Sequence, residues 1–161
     1  MDVYEYAMQM EKDGESYYRE LTEKIGNRGL KRILSMLADA EVIHYNILLK
    51  MKKSEKIEVA DASILTDVKN IFIKMKEEKE ITGINISQVE LYKKAQQIEE
   101  KSQNFYLDKA GEVEDLLQKE IFLKIAEEEK KHFFILESVI DFVSQPQRWL
   151  ENAEWYHLDE Y

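Results

Sequence analysis

The chain has 161 residues, 44% of them hydrophobic and 35% charged, and a formal net charge of -10. That length suffices for one compact domain with a sizeable core. The acidic excess speaks against nucleic acid, which binds through basic patches that neutralise phosphates, and against an anionic membrane surface. With no Cys there is no disulfide framework, no thiolate nucleophile and no Cys-based iron-sulfur or zinc-ribbon module.

One Pro and five Gly leave few breaks, which favours a few long helices over a β architecture needing more turns. No run of about 18 apolar residues occurs, and the N-terminal MDVYEYAM shows neither a basic leader nor an apolar signal core. A soluble, cytoplasmic protein is the expectation.

In chain order, apolar spacing predicts a helix over residues 2–26, a break at Gly26, Asn27 and Gly29, and a second helix over 28–53. Residues 54–86 form a long connection holding an amphipathic stretch, Val68, Ile71, Phe72 and Met75, which reads as a short helix. A third helix is predicted over 87–110, a break at Gly111, and a fourth helix over 112–144. Short breaks make each pair an antiparallel hairpin, and the long connection lets the second hairpin return beside the first, as in bundles with one crossover. Residues 1–144 are thus read as one all-α four-helix bundle. After Gln145 and Pro146, residues 145–161 form an aromatic, acidic tail, too rich in Trp and Tyr to read simply as disordered.

The two hairpins superimpose at an offset of 88 residues without a gap. Glu11 falls on Glu99, Glu41 on Glu129 and His44 on His132, while Tyr18 falls on Tyr106 and Gly14 on Ser102. These acids lie within the apolar stripes. In the second helix the stripe runs Leu30, Leu34, Leu37, Glu41, His44, Leu48 and Met51; in the fourth it runs Phe122, Ile125, Glu129, His132, Leu136, Val139 and Val143. Each helix therefore offers one carboxylate to the core.

Burying four ionised carboxylates without compensation costs several kcal/mol each. No Lys or Arg stands in the middle of the stripes, whereas two divalent cations would balance four carboxylates and two neutral imidazoles. Glu-x-x-His places both side chains on one helix face, and oxygen with imidazole nitrogen suits Fe, Mn or Zn better than Ca or Mg. Glu11, Glu41, His44, Glu99, Glu129 and His132 are the candidate ligands. Tyr18 and Tyr106, two turns beyond Glu11 and Glu99, are placed to donate hydrogen bonds to ligating carboxylates. Among neighbouring acids, Glu127 and Glu128 read as a solvated face, Glu99 is preferred to Glu100 and Glu11 to Glu15, and His157 reads as surface.

The pattern Glu11, Glu41-x-x-His44, Glu99, Glu129-x-x-His132 resembles the di-iron carboxylate site of the ferritin-like superfamily. The phrases AMQMEKDGESYY, MLADAEVIH, AQQIEEKSQNFY and IAEEEKKHFF look most like its rubrerythrin branch, including the two tyrosines. The resemblance implies a ferritin-like bundle binding two iron ions, with two of the carboxylates bridging and His44 and His132 each capping one ion. It implies reduction of hydrogen peroxide or dioxygen, in a homodimer or small oligomer.

Two departures stand out. Rubrerythrins commonly append a rubredoxin-like domain with four cysteines that supplies electrons; this chain has no Cys, so the donor is expected to be an external, rubredoxin-type protein. Gln96 stands where the branch tends to have an extra Glu that takes part in a redox-linked shift of one iron. Bacterioferritin shares the six-ligand layout, but Val42 occupies the place of its heme-binding Met, and no heme is expected. The rival readings are a ferroxidase feeding an iron-storage shell, and a structural protein whose metal staples the bundle.

Overall fold

A computed structural model describes residues 2–58, 64–151 and 158–160. Among the described residues six α-helices follow one another: α1 (Val3–Lys24), α2 (Arg28–Lys52), α3 (Ile64–Glu78), α4 (Val89–Glu112), α5 (Leu116–Ser144) and α6 (Pro146–Glu151). No strand occurs among the described residues. The principal contacts join α1 to α2 and α4 to α5, so each predicted hairpin forms, and the fold is an all-α bundle of two hairpins joined by a long crossover.

Local chemistry sets the helix ends. Asp2 accepts a hydrogen bond from the Glu5 amide at 2.8 Å, Asn27 from the Leu30 amide at 3.0 Å, and Asp115 from the Gln118 amide at 2.9 Å. Each such N-cap contributes about 1 kcal/mol. The second hairpin does not break at Gly111, as the sequence suggests. Gly111 lies in the last turn of α4, where a helix tolerates it, and the chain turns over residues 113–115 before the Asp115 cap.

Antiparallel seams join the hairpins. Tyr18 of α1 meets Glu99 of α4 while Tyr106 of α4 meets Glu11 of α1, and His44 of α2 meets Glu129 of α5 while His132 of α5 faces Glu41 of α2. Rising numbers on one helix meet falling numbers on the other. This places the two half-sites face to face about a pseudo-twofold axis.

The crossover helix α3 packs on α2 and α5 and buries Val68, Ile71, Phe72 and Met75, as its spacing predicts. Phe72 meets Phe142 edge to face at 5.6 Å and Trp149 at 5.8 Å. At Gly29 an added Cβ would lie 2.4 Å from Met75 Sδ, so the missing side chain lets α3 approach α2. The far end of the crossover is pinned to the α1–α2 turn. Buried Asn27 donates its amide to the Thr82 carbonyl at 3.0 Å, and Gly83, with φ of 81°, lies so close to Gly26 that a Cβ would come within 2.7 Å of backbone. Only Gly takes that conformation without strain.

Pro146 opens α6, a position where its missing N–H costs nothing. Leu150 and Leu158 are buried in the same cluster as α1, α2, α3 and α5 residues. Trp155, Tyr156, His157 and Tyr161 of the predicted tail lie outside the described residues.

Two apolar clusters fill the bundle. One gathers Tyr18, Leu34, Leu37, Phe72, Tyr92, Leu136 and Phe142; the other gathers Ala7, Leu48, Met51, Tyr106, Phe122 and Ile125. Along α2 and α5, the residues between these clusters are Glu41, His44, Glu129 and His132.

Candidate metal centre

The stripes that bury each helix bring the six predicted residues into one polar layer. Glu11, Glu41, His44, Glu99, Glu129 and His132 are each at most 4% exposed. They form two overlapping groups with ligand atoms within 4.8 Å of one another: Glu11, Glu41, His44 and Glu129, and then Glu41, Glu99, Glu129 and His132. Glu41 and Glu129 belong to both groups. The His44 and His132 rings lie nearly parallel, with centroids 6.0 Å apart.

Five buried atoms in this layer lack hydrogen-bond partners: Glu11 Oε2, Glu99 Oε2, Glu129 Oε1, His44 Nδ1 and His132 Nδ1. Native proteins rarely leave buried polar atoms unpaired. His44 Nδ1 comes within 2.8 Å of Glu129 Oε1 and 3.6 Å of Glu11 Oε2, and His132 Nδ1 within 3.4 Å of Glu99 Oε1, yet neither nitrogen has a hydrogen bond. The atoms converge on shared space, as ligands around a cation do. Oxygen and imidazole donors of this number fit a pair of transition-metal ions.

Both tyrosines donate to carboxylates of the layer. Tyr18 donates its hydroxyl proton to Glu99 Oε1 and Tyr106 to Glu11 Oε1, each at 2.5 Å. Burial, followed by the neighbouring carboxylates, pushes both phenol pKa values far up, so they remain donors. Each holds one oxygen of its Glu and leaves the other facing the layer.

The layer's electrostatics follow from its burial and its crowded acids. Burial, then the charge of Glu11, drives the Glu41 carboxyl well above the usual range, and burial with Glu99 and Glu11 does the same to Glu129. Glu99 goes the other way: burial raises it, but the charge of His132 with hydrogen bonds from its neighbours brings it down to about 2. Burial lowers the His44 pKa, and the surrounding acids, Glu11 foremost, outweigh this and raise it well above normal. Burial and mutual repulsion thus favour the neutral form of Glu41 and Glu129, a charge balance that cations would also satisfy.

The acids set aside on the sequence are mostly outside the layer. Glu100 and Glu127 are exposed, and Glu15 pairs with Arg19 at 3.3 Å. Glu128 differs from its reading as solvated surface. Its side chain is only 14% exposed and its Oε2 meets His44 Nε2. Burial raises the Glu128 carboxyl, but that hydrogen bond and the charge of His44 bring it below the ordinary value. Its position, one residue before a candidate ligand at the edge of the stripe, is the available signal. Gln96 is also tied away from the layer: its amide donates to Glu137 Oε2 at 2.7 Å and to the Phe133 carbonyl at 3.3 Å.

Gly14 has a defined purpose in the layer. A Cβ there would lie 3.0 Å from Glu41 Oε2 and 3.2 Å from its Cδ, so the bare backbone of α1 makes room for that carboxylate.

Among known proteins, the family model described as Rubrerythrin matches residues 2–140. No curated protein and no solved structure matches the chain.

Proposed function

The chain belongs to the rubrerythrin family, and from that premise we propose that it holds two iron ions and reduces hydrogen peroxide or dioxygen with electrons from an external donor. The observation that carries the reading is the pair of overlapping ligand groups sharing Glu41 and Glu129, with five orphaned atoms turned into them. Glu11 and His44 would hold one ion and Glu99 and His132 the other, with Glu41 and Glu129, which belong to both groups, available to each. When bound, the two ions supply the two electrons that convert peroxide, with two protons, to two waters.

The protein's part is geometry, charge and exclusion of water. Two divalent cations would balance the four carboxylates, of which burial drives Glu41 and Glu129 toward protonation. Tyr18 and Tyr106 fix the outer oxygens of Glu99 and Glu11, which sets the inner ones. These 161 residues include no Cys, so the electrons of the proposed reaction come from outside the bundle, from a donor we take to be of rubredoxin type. No helix among the described residues is long and apolar enough to cross a membrane.

Metal analysis and single-turnover kinetics test this. Protein reduced with two iron ions per chain is expected to consume about one peroxide per pair of ions as its absorption changes from ferrous to ferric, and Glu41→Ala and His132→Ala are expected to lose metal and turnover together. Fully loaded, reduced protein that neither consumes peroxide or dioxygen nor changes its spectrum would refute it.

A further inference from the structure

Glu128 is the half-buried acid that touches the ligand layer without belonging to either group. It meets His44 through Nε2, while Nδ1 of the same ring faces Glu129 at 2.8 Å and Glu11 at 3.6 Å. The two ring nitrogens therefore have separate tasks. A carboxylate accepting from Nε2–H leaves the Nδ1 lone pair for an ion, holds the ring plane and makes that nitrogen more basic.

The internal repeat does not duplicate this arrangement. Glu128 stands immediately before Glu129, and the residue immediately before Glu41 is Ala40. At the 88-residue offset Ala40 is the counterpart of Glu128, and its methyl group accepts no hydrogen bond. Otherwise the halves match ligand for ligand and tyrosine for tyrosine.

We propose that Glu128 is a positioning residue that orients His44 and makes the position formed by Glu11, Glu41, His44 and Glu129 the tighter of the two, filled first and emptied last. The proposal rests on the reading that this layer holds two metal ions. It gives a centre of nearly symmetric ligands an intrinsic order of loading.

Titration of metal-free protein with Co2+, followed by its visible absorption, tests the proposal without any turnover. Wild type is expected to bind two ions in two resolved steps, with His44→Ala abolishing the tight one. Glu128→Ala is expected to weaken the tight step about 10- to 100-fold and leave the weak step in place, with Glu128→Gln, which keeps an acceptor oxygen, restoring part of the loss. In a His44→Ala background, Glu128→Ala is expected to add nothing. Unchanged tight binding in Glu128→Ala, or equal weakening of both steps, would overturn the positioning role while leaving a two-ion site intact. Wild type taking up fewer than two ions would instead overturn the underlying two-ion reading and the proposal with it.

Discussion

Replacing Gly14 by Ala sets a gain in the helix against a loss at the metal layer. Gly14 lies inside α1, where Ala is favoured by about 0.8 to 1 kcal/mol. For a protein of this size that is a rise in Tm of about 2 to 4 °C. The new Cβ would sit 3.0 Å from Glu41 Oε2 and 3.2 Å from Cδ, so the carboxylate must retreat by a few tenths of an ångström. Without metal, Glu41 is the flexible end of a side chain and yields at small cost. In the proposed two-ion state it would serve both ions, and ligand distances tolerate only about 0.2 Å. The loss therefore falls on metal affinity, about 10- to 100-fold by analogy with other outer-shell changes, or about 1.4 to 2.7 kcal/mol. Thermal unfolding with and without a fixed excess of Co2+ separates the effects, because stabilisation by a ligand follows its affinity. Metal-free Gly14→Ala should melt at or above wild type, and its gain in Tm on adding metal should be smaller. Gly111→Ala is the control, since a Cβ there meets nothing within 4 Å. Wild-type metal affinity in Gly14→Ala would refute the reasoning.

Tyr18→Phe removes the proton that holds Glu99 Oε1 at 2.5 Å and is expected to weaken the Glu99 and His132 position about 10- to 100-fold, with Tyr106→Phe doing the same to the Glu11 and His44 position; Co2+ titration reads both, and identical effects on both steps from either variant would contradict the pairing. Stripped of metal by a chelator, the protein is expected to be more stable near pH 5.5 than near pH 8 in denaturant titrations. Glu41 and Glu129 have folded pKa values raised above the ordinary 4.5, so folding binds their protons and loses stability as pH rises past that value; cationic His44 loses its contribution as pH climbs from 6.5 through its raised pKa. Glu11, Glu99 and Glu128, all lowered, act oppositely but only as pH falls below 4.5. A flat profile between these values would count against the burial of unneutralised acids.

Much of the architecture was legible because its signals are local and repeated. Leu30 to Met51 and Phe122 to Val143 show the 3.6-residue rhythm directly, and a Glu or His within such a stripe declares a polar group in a core. What escaped depends on neighbours that no single helix reveals. Glu128 flanks its stripe, and its burial follows from where α2 crosses α5, which spacing along α5 does not encode. Gly14 could be seen as small, but the atom it spares, Glu41 Oε2, belongs to another helix. The second hairpin turns at Asp115 and not at Gly111 because an N-cap fixes where a helix starts more firmly than one Gly fixes where another stops. The anchoring of the crossover by Asn27 spans 55 residues to the Thr82 carbonyl, a contact beyond any local pattern.

Each ligand group draws three residues from one hairpin and the fourth from the other, Glu129 completing the first and Glu41 the second. Any ions held there rivet the two hairpins together across the seams where α1 meets α4 and α2 meets α5. With every candidate ligand buried, escape would require those seams to part, and one parting would take a shared carboxylate from both groups. The rate at which metal exchanges is then a measure of how often the hairpins separate, so isotope exchange of the bound metal and amide exchange along the α2–α5 seam should report the same opening.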